Sequence, residues 1–245
     1  MEYAIQANGL TKRYGTKTAV NDLNLSVQAG ELFALLGVNG AGKTTTIKML
    51  SGLTTPTAGD AMLLGDSITT DPQRAKAHNG ISPQETAIAR NLSVGENLTL
   101  MARIYGQSEK TAREKAETTA QQLGLGEVYK QKAKTLSGGM QRRLSIGMAL
   151  ICEPKILFLD EPTLGLDVIA RRELWSVVQK LHGQVTIILT THYLEEVEAL
   201  SDRVGIMSKG KLVAVGTVAE LVQQTGAKNF EDAFIALATE AEAMV

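Results

Sequence analysis

The sequence predicts an α/β layer fold interrupted by a helical insertion, and three observations lead there. From residue 156 onward strand and helix patterns alternate: ILFLDE, a helix over 167–181, VTIILTTH, a helix over 194–199, and RVGIMSKGKLVAVG as a hairpin. Such alternation is the mark of strands layered against helices. Nearer the N-terminus the wholly apolar run Leu32 to Leu36 reads as a strand buried on both faces. Between these two regions, residues 84–150 carry helical patterns and no strand pattern.

The elements follow in order. Leu23, Leu25 and Val27 alternate with Asn24, Ser26 and Gln28, the two-residue rhythm of a half-buried strand. The segment TTPTAGD is a turn, and no further strand is expected before Ile156. Residues 94–105 and 108–123 read as polar-faced helices. A short amphipathic helix over 229–238 sets Phe230, Phe234 and Leu237 on one side. No internal repeat or low-complexity tract occurs.

Composition narrows the class of function. With 44% hydrophobic and 21% charged residues over 245 positions, the chain is an ordinary globular protein. Its 25 Lys plus Arg against 26 Asp plus Glu give a net charge of -1, and no long basic run supplies the footprint of a nucleic-acid binder. The single cysteine, Cys152, cannot form an internal disulfide. Beside Ile151 it reads as a buried small hydrophobe, which fits a reducing cytoplasm. The start MEYAIQANGLTKRYG has early charge and no apolar stretch of the signal-peptide kind. No apolar run approaches the ~18 residues that span a bilayer, so work at a membrane requires another chain to cross it.

The chemistry-bearing stretches begin with GVNGAGKT, from Gly37 through Val38, Asn39, Gly40, Ala41, Gly42 and Lys43 to Thr44, followed by Thr45. The pattern G-x-x-x-x-G-K-T follows a buried strand and opens a helix, which is the context it needs. There its glycines let backbone N–H groups face phosphates, the helix N-terminus adds a favourable dipole, Lys43 reaches the β and γ oxygens and the Thr44 hydroxyl can ligate Mg²⁺. ILFLDE ends an apolar strand on Asp160 and Glu161, where parallel sheets bind ligands. Taken alone, such a pair also serves as a solvated turn or a helix cap. With the glycine loop, one acid is expected to hold Mg²⁺ through water and the other to polarise an attacking water.

A second glycine stretch, LSGGMQRRLSIGMAL, places Ser137 as an N-cap and Gly138 and Gly139 at the first helical positions. Each glycine costs about 1 kcal/mol against alanine inside a helix. Close approach by another backbone or by a phosphate would explain the absence of bulkier residues, and an ordinary N-capped helix remains the plain alternative.

Taken together, the ordered motifs resemble the nucleotide-binding subunit of ATP-binding cassette (ABC) transporters over nearly the whole chain. GVNGAGKT is similar to that family's Walker A loop, SPQ to its Q-loop with Gln84, LSGGMQ to its signature motif, ILFLDE to its Walker B, PTLGLD to its D-loop around Asp167, and TTH to its switch histidine, His192. The resemblance implies the ABC ATPase fold, a P-loop NTPase core with an antiparallel β subdomain and an inserted α-helical subdomain at about 84–150, within a domain over 1–226 followed by a helical tail at 227–245. It implies ATP and Mg²⁺ as ligands, with Glu161, His192 and Lys43 catalytic and Thr44, Gln84 and Asp160 at the metal. Tyr14 in KRYG resembles the family's adenine-stacking aromatic. Two cassettes are expected to sandwich ATP head to tail, so that Ser137, Gly138, Gly139, Gln141 and Asp167 address the nucleotide held by a partner chain. Two departures are visible: Val38 stands where proline is frequent, and GLD replaces the common ALD.

Within the family, TLSGGMQRRLSIGMAL, PTLGLD and the tail FEDAFIALA look most like the ABC-2 type exporters, and the roughly 35 residues after Gly210 are too few for a large regulatory domain. The expected partners are a second cassette, an identical chain, and a separate polytopic membrane subunit, with no nucleic acid. The expected location is the inner face of the cell membrane, reached through that subunit. A soluble ABC ATPase uncoupled from transport, such as the iron-sulfur assembly type, is the alternative.

Overall fold

The computed structural model describes residues 3–243. Its strands are β1 (Tyr3–Tyr14), β2 (Lys17–Gln28), β3 (Leu32–Leu36), β4 (Ala58–Leu63), β5 (Asp66–Ser67), β6 (Asn79–Ser82), β7 (Ile156–Asp160), β8 (Thr186–Thr191), β9 (Arg203–Ser208) and β10 (Lys211–Gly216). They form two sheets. One is antiparallel in the order β2-β1-β4-β5; the other, in the order β10-β9-β3-β8-β7-β6, is parallel from β9 through β6, with β10 antiparallel at its edge.

In β2 the alternation runs cleanly from Leu23: Leu23, Leu25 and Val27 are buried while Asn24, Ser26 and Gln28 are exposed, and Val20 is buried on the far side of a register shift at Asp22. One face therefore joins a core that also takes Phe33, Leu35, Phe158 and Ile188 from the parallel sheet. Strands β3, β7 and β8 are buried at every position, as expected where both faces of a parallel sheet are covered.

The helices are α1 (Lys43–Leu50), α2 (Pro72–Ala77), α3 (Val94–Ile104), α4 (Glu109–Gln122), α5 (Gly138–Leu150), α6 (Val168–Leu181), α7 (Leu194–Leu200), α8 (Val218–Thr225) and α9 (Phe230–Ala243). Helices α3, α4 and α5 share a core of their own built on Val94, Leu98, Ala116, Leu123 and Leu144. A capping box starts α3, with Ser93 and Glu96 satisfying each other's backbone N–H groups. In α9, Phe230 and Leu237 are buried and Phe234 packs beside them against the β9 side of the sheet. No helix among the described residues is long and apolar enough to cross a membrane.

One expectation fails. Three strands, β4, β5 and β6, lie in the region read as free of strands before Ile156. Their sequences, AGDAML, DS and NGIS, are short and rich in Gly, Asp, Asn and Ser, residues with poor strand preference. Pairing of β4 with β1, of β5 with β4 and of β6 with β7 makes them strands. Gly80 in β6 is required by packing, since a Cβ there would lie 2.4 Å from the Ala149 carbonyl oxygen of α5.

Candidate functional site

The glycine loop runs from the buried end of β3 into α1. Its glycines answer to close backbone neighbours: a Cβ on Gly37 would stand 2.5 Å from the Met207 carbonyl oxygen, and one on Gly42 2.6 Å from that of Ala19. Gly42 also holds φ 109°, outside the reach of ordinary side chains. Helix α1 begins with no side-chain cap and no acidic residue in its first turn. Its leading N–H groups and the positive end of its dipole are therefore left for an anion.

Lys43 is 5% exposed and folds back over the loop, donating to the carbonyl oxygens of Gly37 (2.6 Å) and Val38 (3.3 Å). The same ammonium stands 3.1 Å from Glu161 Oε1. The other carboxylate oxygen, Oε2, lies 2.5 Å from His192 Nδ1. One carboxylate is thus held between a P-loop lysine and a histidine from the end of β8. Glu161 adopts φ 48°, a left-handed backbone that a non-glycine residue takes only where its surroundings enforce it. Its N–H donates to both the hydroxyl (3.0 Å) and the carbonyl (3.1 Å) of Thr190.

Asp160 sits one residue earlier, 4% exposed, and its Oδ1 accepts from Thr44 (3.1 Å) and Thr190 (2.6 Å). Asp160 and Thr190 are register partners on β7 and β8, so sheet pairing itself brings the hydroxyl to the carboxylate.

These groups meet at a cleft of about 680 Å³, lined by Asn39 to Thr45, Gln84, Glu161 and His192, with Lys17, Thr18 and Ala19 from the β1–β2 hairpin and Lys209 at its rim. Three lysines beside uncapped helix N–H groups favour a polyanion there. Tyr14 is not among the lining residues: it is half exposed, and the Lys12 ammonium lies over its ring at 5.2 Å. Ser137, Gly138, Gly139, Gln141 and Asp167 also lie outside the cleft. Ser137 caps α5 by accepting from Met140 N–H (3.3 Å), Gln141 donates to the Leu136 carbonyl (3.0 Å), and Asp167 caps α6 by accepting from Ile169 and Ala170 N–H (2.9 Å each).

Sequence reading overlooked several groups. Thr190 is one, hidden as an ordinary strand residue two positions before His192. Glu196 is another: fully buried on α7, it accepts from Trp175 Nε1 on α6 and from Thr163 Oγ1, both at 3.1 Å. Burial pushes its carboxyl above the usual range, against the opposing pull of hydrogen bonds from Thr191, Trp175 and Thr163, while nearby Glu161 pushes the same way as burial. Cys152 is half-buried and its thiol is pushed up chiefly by desolvation, which keeps it protonated and unreactive.

A strand, glycine loop and helix that offer bare N–H groups and a buried lysine to a cleft, backed by an Asp-Glu pair at the end of β7, the parallel strand next but one to β3, define a P-loop nucleoside triphosphatase. Residues 20–164 match the family model described as ABC transporter. The chain is 42% identical over 223 residues to the linearmycin resistance ATP-binding protein LnrL of Bacillus subtilis, covering 91% of this chain and 72% of that protein. It is 40% identical over 224 residues to the daunorubicin/doxorubicin resistance ATP-binding protein DrrA of Streptomyces peucetius, covering 91% and 68%. A solved ATP-binding subunit of an ABC transporter superposes with a TM-score of 0.84 at 28% identity, covering 96% of this chain and 99% of that one. The chain belongs to the ABC transporter family, as an ATP-binding subunit whose ATPase activity energises a membrane transporter.

Proposed function

We propose that this chain pairs head to tail with a second copy of itself, hydrolyses Mg²⁺-ATP at two shared sites, and so drives export through a separate polytopic membrane subunit. The observation that carries the hydrolytic part is the single carboxylate of Glu161 held between Lys43 and His192 at the cleft. In this reading Lys43 and the α1 N–H groups hold the β and γ oxygens. Glu161 accepts the proton of the attacking water, and His192 orients both Glu161 and the γ-phosphate. Tyr14 stacks on the adenine, which requires its ring to swing from Lys12.

The residues present suit Mg²⁺. Thr44 Oγ1, Asp160 Oδ1 and the amide of Gln84 are hard oxygen donors, too few to cage an ion alone, which matches a cation that keeps several waters and shares phosphate oxygens. When bound there, Mg²⁺ neutralises charge building on the phosphates. Among the described residues no cluster of three or more His, Cys, Asp or Glu offers an all-protein metal site.

The second half of each site is assigned to Ser137, Gly138, Gly139, Gln141 and Asp167 of the partner copy. Exposed Val168 and Ile169 at the start of α6, with Leu164 nearby, support this face as the contact between copies. Export rather than import is supported by LnrL and DrrA, whose names record drug resistance. The membrane subunit docks on the helical subdomain, residues 84–150 of the cassette at 1–226, near the segment 84–105, where Leu100, Ile104 and Tyr105 are exposed. The protein then resides on the inner face of the membrane through that subunit. Reversing charge at Glu85 or Arg90 is expected to lower partner-stimulated ATPase more than basal ATPase.

Glu161→Gln tests the core of this reading. It is expected to keep ATP binding, to slow turnover by about 10²-fold or more, and to accumulate an ATP-bound dimer in sedimentation. Turnover at the wild-type rate would remove Glu161 from its role, and an ATP-bound monomer would count against the sandwich.

A further inference from the structure

Arg142 occupies an unusual position for a cation. It lies on the second turn of α5, is 6% exposed, and donates from one terminal nitrogen to the Pro83 carbonyl and from the other to the Gln84 carbonyl, both at 2.7 Å. Desolvation depresses its pKa while Asp160 raises it. The buried charge therefore rests on two carbonyl dipoles and a carboxylate that it does not touch. A buried cation is costly, and an apolar side chain of similar volume packs such a place at least as well. Packing alone does not call for a guanidinium there. What a guanidinium adds is a planar fork that grips two acceptors at once.

The two acceptors are consecutive. Fixing the carbonyls of residues 83 and 84 fixes the two peptide planes that flank the Gln84 Cα, and with them the direction in which the Gln84 side chain leaves the backbone toward the cleft. The grip is reinforced along one face of α5, where Arg142 is followed by Ser145, hydrogen-bonded to Ser82 Oγ at 2.8 Å, and by Ala149, pressed on Gly80. Helix α5 thus lies on β6 and its outlet as a rigid lever, with Arg142 at the end nearest Ser137 to Gln141.

We propose that Arg142 is a positioning residue that couples the chain's two half-sites, tying Gln84, which faces the ATP bound by this chain, to the start of α5, which faces the ATP bound by the partner. The inference rests on the roles assigned above to Gln84 and to the start of α5. When Gln84 is drawn toward the phosphates and metal, its backbone pulls the guanidinium, and the start of α5 follows, the helix pivoting on its contacts with β6. Loss of Mg²⁺-ATP at one site is then felt at the other without a contact between the two nucleotides.

A double-mutant cycle tests this, with kcat and KM for ATP measured on the full chain alongside melting temperature. Arg142→Met and Gln84→Ala are each expected to lower kcat about tenfold with KM within about twofold, and the double variant to lie within about twofold of Gln84→Ala alone, because both act through one group. A guanidinium that served only to stabilise the fold would multiply with the loss of Gln84, and a double variant about 100-fold down would overturn the coupling. So would wild-type kcat in Arg142→Met. Wild-type kcat in Gln84→Ala would instead refute the role given to Gln84, and the coupling with it. If Arg142→Met does not fold, Arg142→Lys, which keeps the charge but lacks the fork, carries the same cycle; its kcat is expected to fall between wild type and Gln84→Ala.

Discussion

The cleft and the start of α5 are both glycine-rich helix starts, yet their glycines and hydroxyls are used differently. At the cleft, Gly37 and Gly42 are demanded by neighbouring backbone, and Lys43, Thr44, Asp160, Glu161 and His192 interlock through hydrogen bonds and an ion pair within one chain. At α5 only part of the motif has an internal reason. Gly139 is buried, and a Cβ there would stand 3.0 Å from Ala170 Cβ on α6. Gly138 is exposed, and its Cβ would meet nothing nearer than Leu166 Cδ2 at 3.7 Å, an ordinary contact. The contrast teaches that a motif whose residues are explained by their own chain forms a site, while a residue left unexplained points outward, to something the chain does not itself contain.

The largest effect that tests this contrast comes from mixing two variants. Lys43→Ala damages a chain's own cleft, and Ser137→Ala damages the half-site it lends. Each homodimer has two defective sites. A mixed dimer joins the intact cleft of the Ser137 variant to the intact α5 start of the Lys43 variant, so an equal mixture is expected to recover about a quarter of wild-type ATP occlusion, given random pairing. If mixed dimers form and occlude nothing, the two regions do not share an ATP and the contrast loses its functional meaning.

Next is the internal lock of the cleft. Thr190→Val keeps the shape and removes the hydroxyl that serves Asp160 and the Glu161 N–H. A loss of about 1–3 kcal/mol is expected, read as a melting temperature lower by several degrees and a kcat about tenfold down. Unchanged values in both would show that the cleft is not held from behind as described.

A smaller and more pointed comparison sets Gly138→Ala against Gly139→Ala. Both gain helix propensity, but only the second must push Ala170, a penalty of the order of 1 kcal/mol. Gly139→Ala should therefore melt below Gly138→Ala. Gly138→Ala should keep or raise the melting temperature while weakening the ATP-dependent dimer. Equal melting temperatures would erase the distinction drawn between the two glycines.

The smallest expected effect concerns pH. Glu196 has its carboxyl raised in the fold by burial, so the folded state binds its proton more tightly than the unfolded state does. That contribution is fully present below the unfolded value of 4.5 and is lost as pH rises through the raised folded value. Glu196→Gln, whose amide oxygen still accepts from Trp175 Nε1 while its amide nitrogen donates to the Thr163 hydroxyl, should flatten the fall of melting temperature above about pH 4.5. An identical slope in both proteins would mean that Glu196 does not carry the proton.

The parts of the fold legible in the sequence were those in which information is local. The apolar run Leu32–Leu36, the helix of 167–181, and the amphipathic pattern of Phe230, Phe234 and Leu237 need only their own neighbours to be read, and they stand in the structure as a buried strand, a helix and a packed helix face. The glycine loop and the Asp-Glu pair were legible for the same reason, since phosphate binding at a helix start is written in consecutive residues.

What the tertiary structure decided was whatever depends on partners far along the chain. Segments as polar as NGIS and AGDAML became strands because β7 and β1 supply the hydrogen bonds that their own side chains do not encourage. Thr190, Glu196 and Arg142 acquired their places from register and helix packing that join positions 30, 33 and 59 residues apart, and Tyr14 ended beside Lys12 rather than on the cleft wall. The sequence by itself determined the class of protein and the groups that meet phosphate, because those follow from short-range spacing on a helix or strand. Their orientation, and the buried residues that hold them, were set only when separate segments were brought into one low-dielectric core where each polar group had to find a partner.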